Sequence, residues 1–506
     1  MPPVVAALAA ATVAITGLAI GTKSAGGADV YGYVSQVELW RSGSLHVPMP
    51  LAERAPWPNP EHSFAPLGYL ATDRATAVPT YAPGIPLIMA LFVTLFGDGA
   101  EYWITPLCGG ALVFLTYLLG VHLSGRAVGL ASALCVAASP IVLQMTNWLL
   151  ADLPAATFWL AALWLSLRVG ALNGFGAGIA TGIAVLIRPN LIPLAVIPAL
   201  LCARPSFGSE RPWMMRMAAF TAPVFLAATF IAWLFNDLYG SPLRSGYGAT
   251  GDLYAWKNLF PNARQYARWI LASHGPFVFL FPLSVVVAVH KGHAWRERGA
   301  LTMFVVLVCA SYLFYFPFDA WWYIRFLLPA IPVIFVLSAD AVWMSTTRRE
   351  STRRLALVLF TIFCAGYGLR EAFERGEVFR IGRDQAKYAA VGTWIKEHLP
   401  PNAVVYSMQH SGNVRLYANR LTLRWDLIDS GWLDRSIAFM IEEGYEPYLL
   451  LDEWEMPQFR QHFANQQAVR AADRQAPTLL NTFDTIVWGL RDPTGSEVFR
   501  IPRPRR

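Results

Sequence analysis

Apolar runs close to the ~20 residues that cross a hydrocarbon core recur along this chain from its N-terminus to about residue 370, joined by short connections rich in Arg, Gly and Pro. Nothing else in the sequence restricts the fold as strongly. Of its 506 residues 55% are hydrophobic and only 14% charged, against about 25% charged in an ordinary soluble domain, so the chain cannot solvate its own surface. Lipid is the expected solvent for most of it. The hydropathy pattern predicts a polytopic α-helical membrane protein of about eleven transmembrane helices, near 4–22, 102–123, 127–146, 153–168, 174–188, 190–203, 217–236, 275–290, 300–317, 324–343 and 353–370.

The formal charge of +7 does not point to nucleic acid, because the basic residues fall in short clusters between apolar runs, where they set orientation in the bilayer. With the N-terminus in the cytoplasm, Arg126, Arg168, Arg204/Arg211/Arg216, Lys291/Arg296/Arg298 and Arg348/Arg349/Arg353/Arg354 all fall on the cytoplasmic side. Counting Ile85–Phe96 as a span would turn these clusters outward, so that run is expected to lie in the outer interface or to re-enter it. Met1–Val4 holds no Lys or Arg, which favours a retained first span over a cleaved signal peptide. Three segments then face outward: loops 23–101 and 236–274, and a C-terminal domain.

The expected division is therefore a membrane domain over 1–374 and a soluble extracytoplasmic α/β domain over 375–506. In the latter, strand-like AVVYSM (403–408) and PYLLLD (447–452) alternate with helix-like 384–398 and 433–444. The five cysteines, Cys108, Cys135, Cys202, Cys309 and Cys364, sit singly in apolar segments and read as small core residues.

An acidic residue at the mouth of a membrane bundle needs a partner or a task, since a charge near mid-bilayer costs at least ~2.5 kcal/mol. Asp29, in GGADVYGYVSQVELWRSGSL, and Asp152, in MTNWLLADLPAATFW, are both expected at the outer surface. Asp29 is the candidate general base. Competing readings are a solvated residue after a Gly-rich turn for Asp29 and an N-cap ahead of Pro154 for Asp152. Arg188, in AVLIRPNLIPL, and Arg325, in FDAWWYIRFLLPAIP, suit a lipid phosphate because guanidinium offers a planar fork of donors. They equally fit snorkelling to the interface or neutralising the two acids. Trp321, Trp322 and Tyr323 read as an interfacial belt. His46, Glu53, Glu61, His62 and Asp73 in the first loop lack metal-ligand spacing, so no metal site is expected, although a divalent ion is compatible with the chemistry. The sequence contains no Walker motif and no G-x-S-x-G elbow.

Several phrases, in order, resemble the membrane glycosyltransferases of the GT-C fold, and within them the protein O-mannosyltransferases and the lipid A aminoarabinose transferase. They are ADVYGYVSQVELWRSG, TYAPGIPLIMALFVTLFG, NWLLADLPAATFW, GIAVLIRPN, NDLYGSPLRSGYG and WWYIRFLLPAIP. The resemblance implies a hexosyl- or pentosyltransferase of a bacterial plasma membrane that takes a sugar from a polyprenyl-phosphate carrier and passes it to an acceptor hydroxyl or phosphate outside. By that resemblance Asp29 matches the first-loop aspartate proposed as general base, and Asp152 the second-loop acidic position. Arg188 and Arg325 fall at basic positions of similar phrases, and Tyr31, Tyr81 and Tyr247, which lie in three of them, are substrate-binding candidates. Val30 and Tyr31 follow Asp29 where some relatives carry a second acid or an Arg. The rival reading from another class is a transporter or flippase for a lipid-linked or sugar substrate, which would also use many spans and buried charges. A membrane scaffold binding through the outer domain ranks last.

Overall fold

The structure is a computed structural model that describes all residues except 74, 205–211, 347–348, 467–468, 470–481, 491–497 and 503–506. Arg211 and Arg348 of the basic clusters thus lie outside the described residues. The chain divides into two compact units, the first made of Met1–Thr22 and Ala82–Gly382, the second of Lys23–Tyr81 and Arg383–Arg506.

In the first unit, helices fall on every apolar stretch singled out by hydropathy, but many are broken. Pro2–Ile20, Ile104–Ser124, Pro212–Tyr239 and Glu350–Arg375 are long. Arg126–Ala137 and Pro140–Asn147 form a pair bent by 59°, and Trp321–Leu327 and Ile331–Ser345 one bent by 79°. Pro140 is the first residue of the helix after the first break and Pro332 the second residue of the helix after the second, each lacking the N–H that continuation would need. The stretch 190–203 is a 3-10 segment, Pro189–Ala195, with Pro193 inside it, followed by the short helix Val196–Cys202. Among the described residues four helices, or up to seven counting each bent pair as one, are long and apolar enough to cross a membrane. Gly84–Phe96 is a separate helix of 13 residues, about 20 Å long and shorter than the hydrocarbon core.

Close packing here depends on small residues. Gly174, Gly178 and Gly182 repeat at i, i+4 and i+8 along Ala171–Ile187 and bring its backbone onto Pro212–Tyr239. A Cβ on Gly178 would stand 2.4 Å from the Phe220 carbonyl oxygen, the geometry by which small-residue stripes let helix backbones meet without help from a hydrophobic driving force. Two arginines of the basic clusters, Arg216 and Arg298, are buried. Arg216 donates through Nε to the Cys202 carbonyl (2.6 Å) and through Nη2 to that of Leu201 (2.8 Å), closing the end of Val196–Cys202. Arg298 grips Asp340 with Nε and Nη2, at 2.8 and 2.9 Å.

The second unit differs from the expected domain boundary, because the segment Lys23–Tyr81 groups with the C-terminal segment rather than with the helices. The physical reason is a shared core. Met49, Trp57, Phe64 and Tyr69 of the loop pack in one buried cluster with Tyr406, Trp425, Phe459 and Trp488, removing from water apolar area that neither segment buries alone. The loop carries a small antiparallel sheet of β1 (Val47–Pro48), β2 (Tyr69–Ala71) and β3 (Thr76–Pro79) in the order β1-β3-β2. The C-terminal part adds β4 (Ala403–Tyr406), β5 (Leu421–Leu423), β6 (Glu446–Asp452), β7 (Thr482–Gly489) and β8 (Val498–Pro502). They form one sheet ordered β5-β4-β6-β7-β8, parallel across β5-β4-β6 and antiparallel from β6 to β8. Helices Glu377–His398 and Leu433–Glu442 coincide with the two helix-like stretches.

The loop enters this unit through a fastened segment. Ser24 Oγ donates to the Gln385 carbonyl and the Ala25 amide to Tyr417 Oη, both at 2.7 Å. Gly26 follows, where a Cβ would lie 1.9 Å from the Tyr388 ring, and the helix Gly27–Ser42 begins directly after it.

Gly178→Ala is expected to cost about 1–3 kcal/mol through overpacking, read as a lower Tm in detergent. Gly366→Ala, where a Cβ meets nothing within 4 Å, should leave Tm unchanged or slightly raised.

Candidate active site

Asp152, Arg188 and Arg325 come together in the first unit although 173 positions separate the first from the last. Asp152 opens the helix Asp152–Ser166 and is 2% exposed. It is not the cap: Ala151 takes that position, no side-chain capping bond forms, and the carboxylate turns to the arginines instead. Arg188 is the residue at which Ala171–Ile187 stops, since Pro189 disfavours helical backbone before it. Its Nη2 donates to Asp152 Oδ1 at 2.6 Å. Arg325, on the 3-10 segment Trp321–Leu327, is 9% exposed and places Nε 3.8 Å from Asp152 Oδ2.

Aromatic rings complete the surroundings. The guanidinium carbons of Arg188 and Arg325 lie 5.3 and 5.4 Å from the Phe326 ring centre, and that of Arg325 also lies 5.1 Å from Tyr323 and 6.0 Å from Trp148. Tyr312 stacks on Phe326 at 4.9 Å, and its hydroxyl accepts from Arg188 Nη1 (3.4 Å) and Asn190 Nδ2 (3.2 Å). Both guanidinium groups meet the Asp152 carboxylate in a weakly solvated setting, where charge interactions are strong. Such a cluster is chemically suited to a second anion.

Tyr247 is exposed in the turn Ser245–Gly248, its amide donating to Ser245 Oγ at 3.3 Å. Asp29, Tyr31 and Tyr81 belong to the second unit. Asp29 is half-buried in the first turn of Gly27–Ser42, where the helix N-terminus favours a negative charge. Tyr31 is buried with its ring 5.8 Å from that of Tyr69, and burial pushes its phenol up despite the opposing field of Arg415 and a Ser35 hydrogen bond. Tyr81 is buried 4.8 Å from Tyr33, its ring so close to Gly32 that a Cβ there would lie 2.3 Å away. Both tyrosines are packed side chains. Trp321 donates from Nε1 to Glu377 and lies 4.2 Å beneath the Arg375 guanidinium.

Sequence reasoning missed Tyr312, Asn190, Phe326 and Trp148. Three of them sit inside phrases already singled out, RPN, IRFLL and NWLLAD, whereas Tyr312 lies in the plain apolar run VVLVCASYLFY. It also missed a buried network in the second unit. Asp452, at the end of β6, accepts from Thr485 Oγ1 (2.6 Å), Lys387 Nζ (2.7 Å) and His410 Nε2 (2.9 Å). Burial works to raise its carboxyl, yet His410 and Lys387 outweigh that and hold it below the usual carboxylate range. Burial pushes neighbouring Glu455 up to about 7, against the backbone amides of Asp452 and Gln409, which favour its charged form. His46, Glu53, Glu61, His62 and Asp73 do not converge: among the described residues no three His, Cys, Asp or Glu are grouped so as to hold a metal ion.

Residues 79–235 match the model of the dolichyl-phosphate-mannose-protein mannosyltransferase family. That stretch contains Tyr81, Asp152 and Arg188. The whole chain superposes on ArnT from Cupriavidus metallidurans bound to undecaprenyl phosphate with a TM-score of 0.58 and 11% identity, covering 96% of this chain and 97% of that one. The fold is that of the GT-C glycosyltransferases. The Archaeoglobus fulgidus oligosaccharyltransferase tethered to an acceptor peptide shares this GT-C fold at a TM-score of 0.53 and 12% identity, over 88% of this chain and 69% of that one. No curated protein matches the sequence.

Asp152→Asn should lower stability by about 3–5 kcal/mol, the usual cost of removing one partner from a buried ion pair, measured as the shift of thermal unfolding in detergent. Glu455 retains its proton to about 7 in the fold, whereas an unfolded glutamate releases it near 4.5. The folded state therefore binds more protons in that window, and Glu455's contribution to stability declines as pH rises through it. Glu455→Gln should flatten that part of the Tm-against-pH profile.

Proposed function

We propose that this protein is an integral-membrane glycosyltransferase that moves a sugar from a polyprenyl-phosphate donor to an acceptor hydroxyl or phosphate on the outer face of the membrane. The observation that carries the reading is the pairing of Arg188 and Arg325 with the buried carboxylate of Asp152. That carboxylate orients the two guanidinium groups. Guanidinium groups preorganised among Phe326, Tyr323 and Trp148 offer the planar donors that a lipid phosphate uses both on binding and on leaving. The match of residues 79–235 to a family named for a polyprenol-phosphate sugar supports the same donor class.

In this scheme Asp29 is the general base. It takes the proton of the acceptor hydroxyl while that oxygen bonds to the anomeric carbon, assistance worth about 10²- to 10⁴-fold. The bond from the anomeric carbon to the phosphate oxygen breaks as the new one forms, and its electron pair leaves on the polyprenyl phosphate, whose growing charge Arg188 and Arg325 stabilise. One displacement inverts the anomeric configuration. A cytoplasmic N-terminus and an odd number of spans, the expectation from the basic clusters, would put the loop carrying Asp29 and the α/β unit outside, where a water-borne acceptor is available.

Purified protein in lipid, incubated with radiolabelled polyprenyl-phosphate sugars, should release label from the carrier. Asp29→Asn should abolish transfer and keep the donor bound, and retained turnover would remove Asp29 from the mechanism. Arg188→Gln and Arg325→Gln should each weaken donor binding by about 10- to 100-fold, the worth of a charged hydrogen bond. Unchanged donor affinity in both would contradict the phosphate site.

A further inference from the structure

Between Asp252 and Glu297 the sequence holds no acidic residue, and in this interval lies the helix Leu259–His274, led by the 3-10 turn Trp256–Asn258. Its two faces are unlike. Asn262, Tyr266, Ile270 and Ser273 are buried against the first unit, and Asn262 Nδ2 donates to the carbonyls of Leu313 and Tyr315 at 3.1 and 2.6 Å. The opposite face shows Lys257, Phe260, Arg264, Arg268 and Leu271 at i, i+3, i+7, i+11 and i+14, all exposed, with Trp256 beside them. Trp256 and Phe260 are each 81% exposed and Leu271 47%.

Orientation is the second observation. After Gly275 the chain turns by 115° into the apolar segment Pro276–His290, which is one of the expected spans. A helix set nearer to a right angle than to a continuation of a span runs along the membrane surface rather than through it. Its free face is too apolar for water and too charged for hydrocarbon. The headgroup layer alone satisfies both, with aromatic rings at the acyl boundary and cations among the phosphates.

We propose that Leu259–His274 lies in the headgroup layer as an interfacial helix, and that Lys257, Arg264 and Arg268 form a binding surface for anionic phospholipid. Among the described residues no carboxylate pairs with these three cations, so phosphate diesters of the surrounding leaflet are their counter-charges. The surface is independent of the chemistry assigned to Asp29 and of the Asp152 cluster. It fixes the depth of the outer segment 236–274 relative to the bilayer by attraction to headgroups, an attraction that salt weakens.

The test uses the full-length protein in mixed micelles of equal phosphatidylglycerol and phosphatidylcholine, with retained phospholipid quantified by mass spectrometry. Wild type should retain phosphatidylglycerol preferentially, and the preference should fall about tenfold in Lys257→Gln/Arg264→Gln/Arg268→Gln with Tm unchanged. Arg353→Gln/Arg354→Gln, on the opposite side by the expected topology, should keep the wild-type ratio. An unchanged ratio in the triple variant, or an equal fall in the Arg353/Arg354 variant, overturns the assignment. Should the triple variant not be recovered, each single Gln substitution is expected to lose part of the preference, and three single variants all matching wild type overturn it as well.

Discussion

A carboxylate 2% exposed among apolar helices has no water to stabilise its charge, and a protein that keeps one must supply the counter-charge itself. Asp152 meets this requirement with two arginines rather than one, and much of the first unit's irregular geometry serves the arrangement. Ala171–Ile187 has to stop at Arg188, which Pro189 ensures. The segment Trp321–Leu327 has to be a tight 3-10 turn bent away from Ile331–Ser345 to present Arg325 and Phe326 together. Straight spans would have carried these side chains along separate helix faces. Broken backbone within a membrane is tolerated only where it is buried in protein or lines a cavity, and Asp152, Arg325 and Phe326 are all buried.

A different balance operates at Asp340. There one arginine, Arg298, binds one carboxylate through two nitrogens, and Ser284 adds a hydrogen bond at 2.5 Å. Charge is matched and donors are satisfied, leaving nothing for a ligand. At Asp152, by contrast, the arginines come from two broken segments and meet the rings of Phe326, Tyr323 and Trp148, although both groupings consist of Arg and Asp in apolar surroundings.

The second unit shows why a loop of this length is ordered. Segments far apart in the chain bury Trp57, Phe64, Trp425 and Trp488 in one core, and the start of the helix bearing Asp29 is tied down by Ser24, Ala25 and the close approach of Tyr388 to Gly26. A candidate base on an untethered loop would sample many positions. Held at both its entry and its core, this helix spends that entropy on folding rather than on each encounter with an acceptor.

The sequence by itself determined the helix positions of the first unit, the strands over 403–406 and 446–452, and the four charged residues worth examining, because hydropathy, strand alternation and the cost of a buried charge act locally. Asp29, Asp152, Arg188 and Arg325 stand out in any reading of the chain since each interrupts an apolar context. Only the tertiary structure decided that Asp152 binds both arginines rather than capping its helix, that Tyr31 and Tyr81 are packed within a core, that Tyr312 belongs to the cluster, and that the first loop shares its core with the C-terminal strands. Those outcomes depend on which helix faces meet and which distant segments pool their apolar area. Such long-range choices leave no periodicity or spacing in the chain, so no local pattern could have announced them.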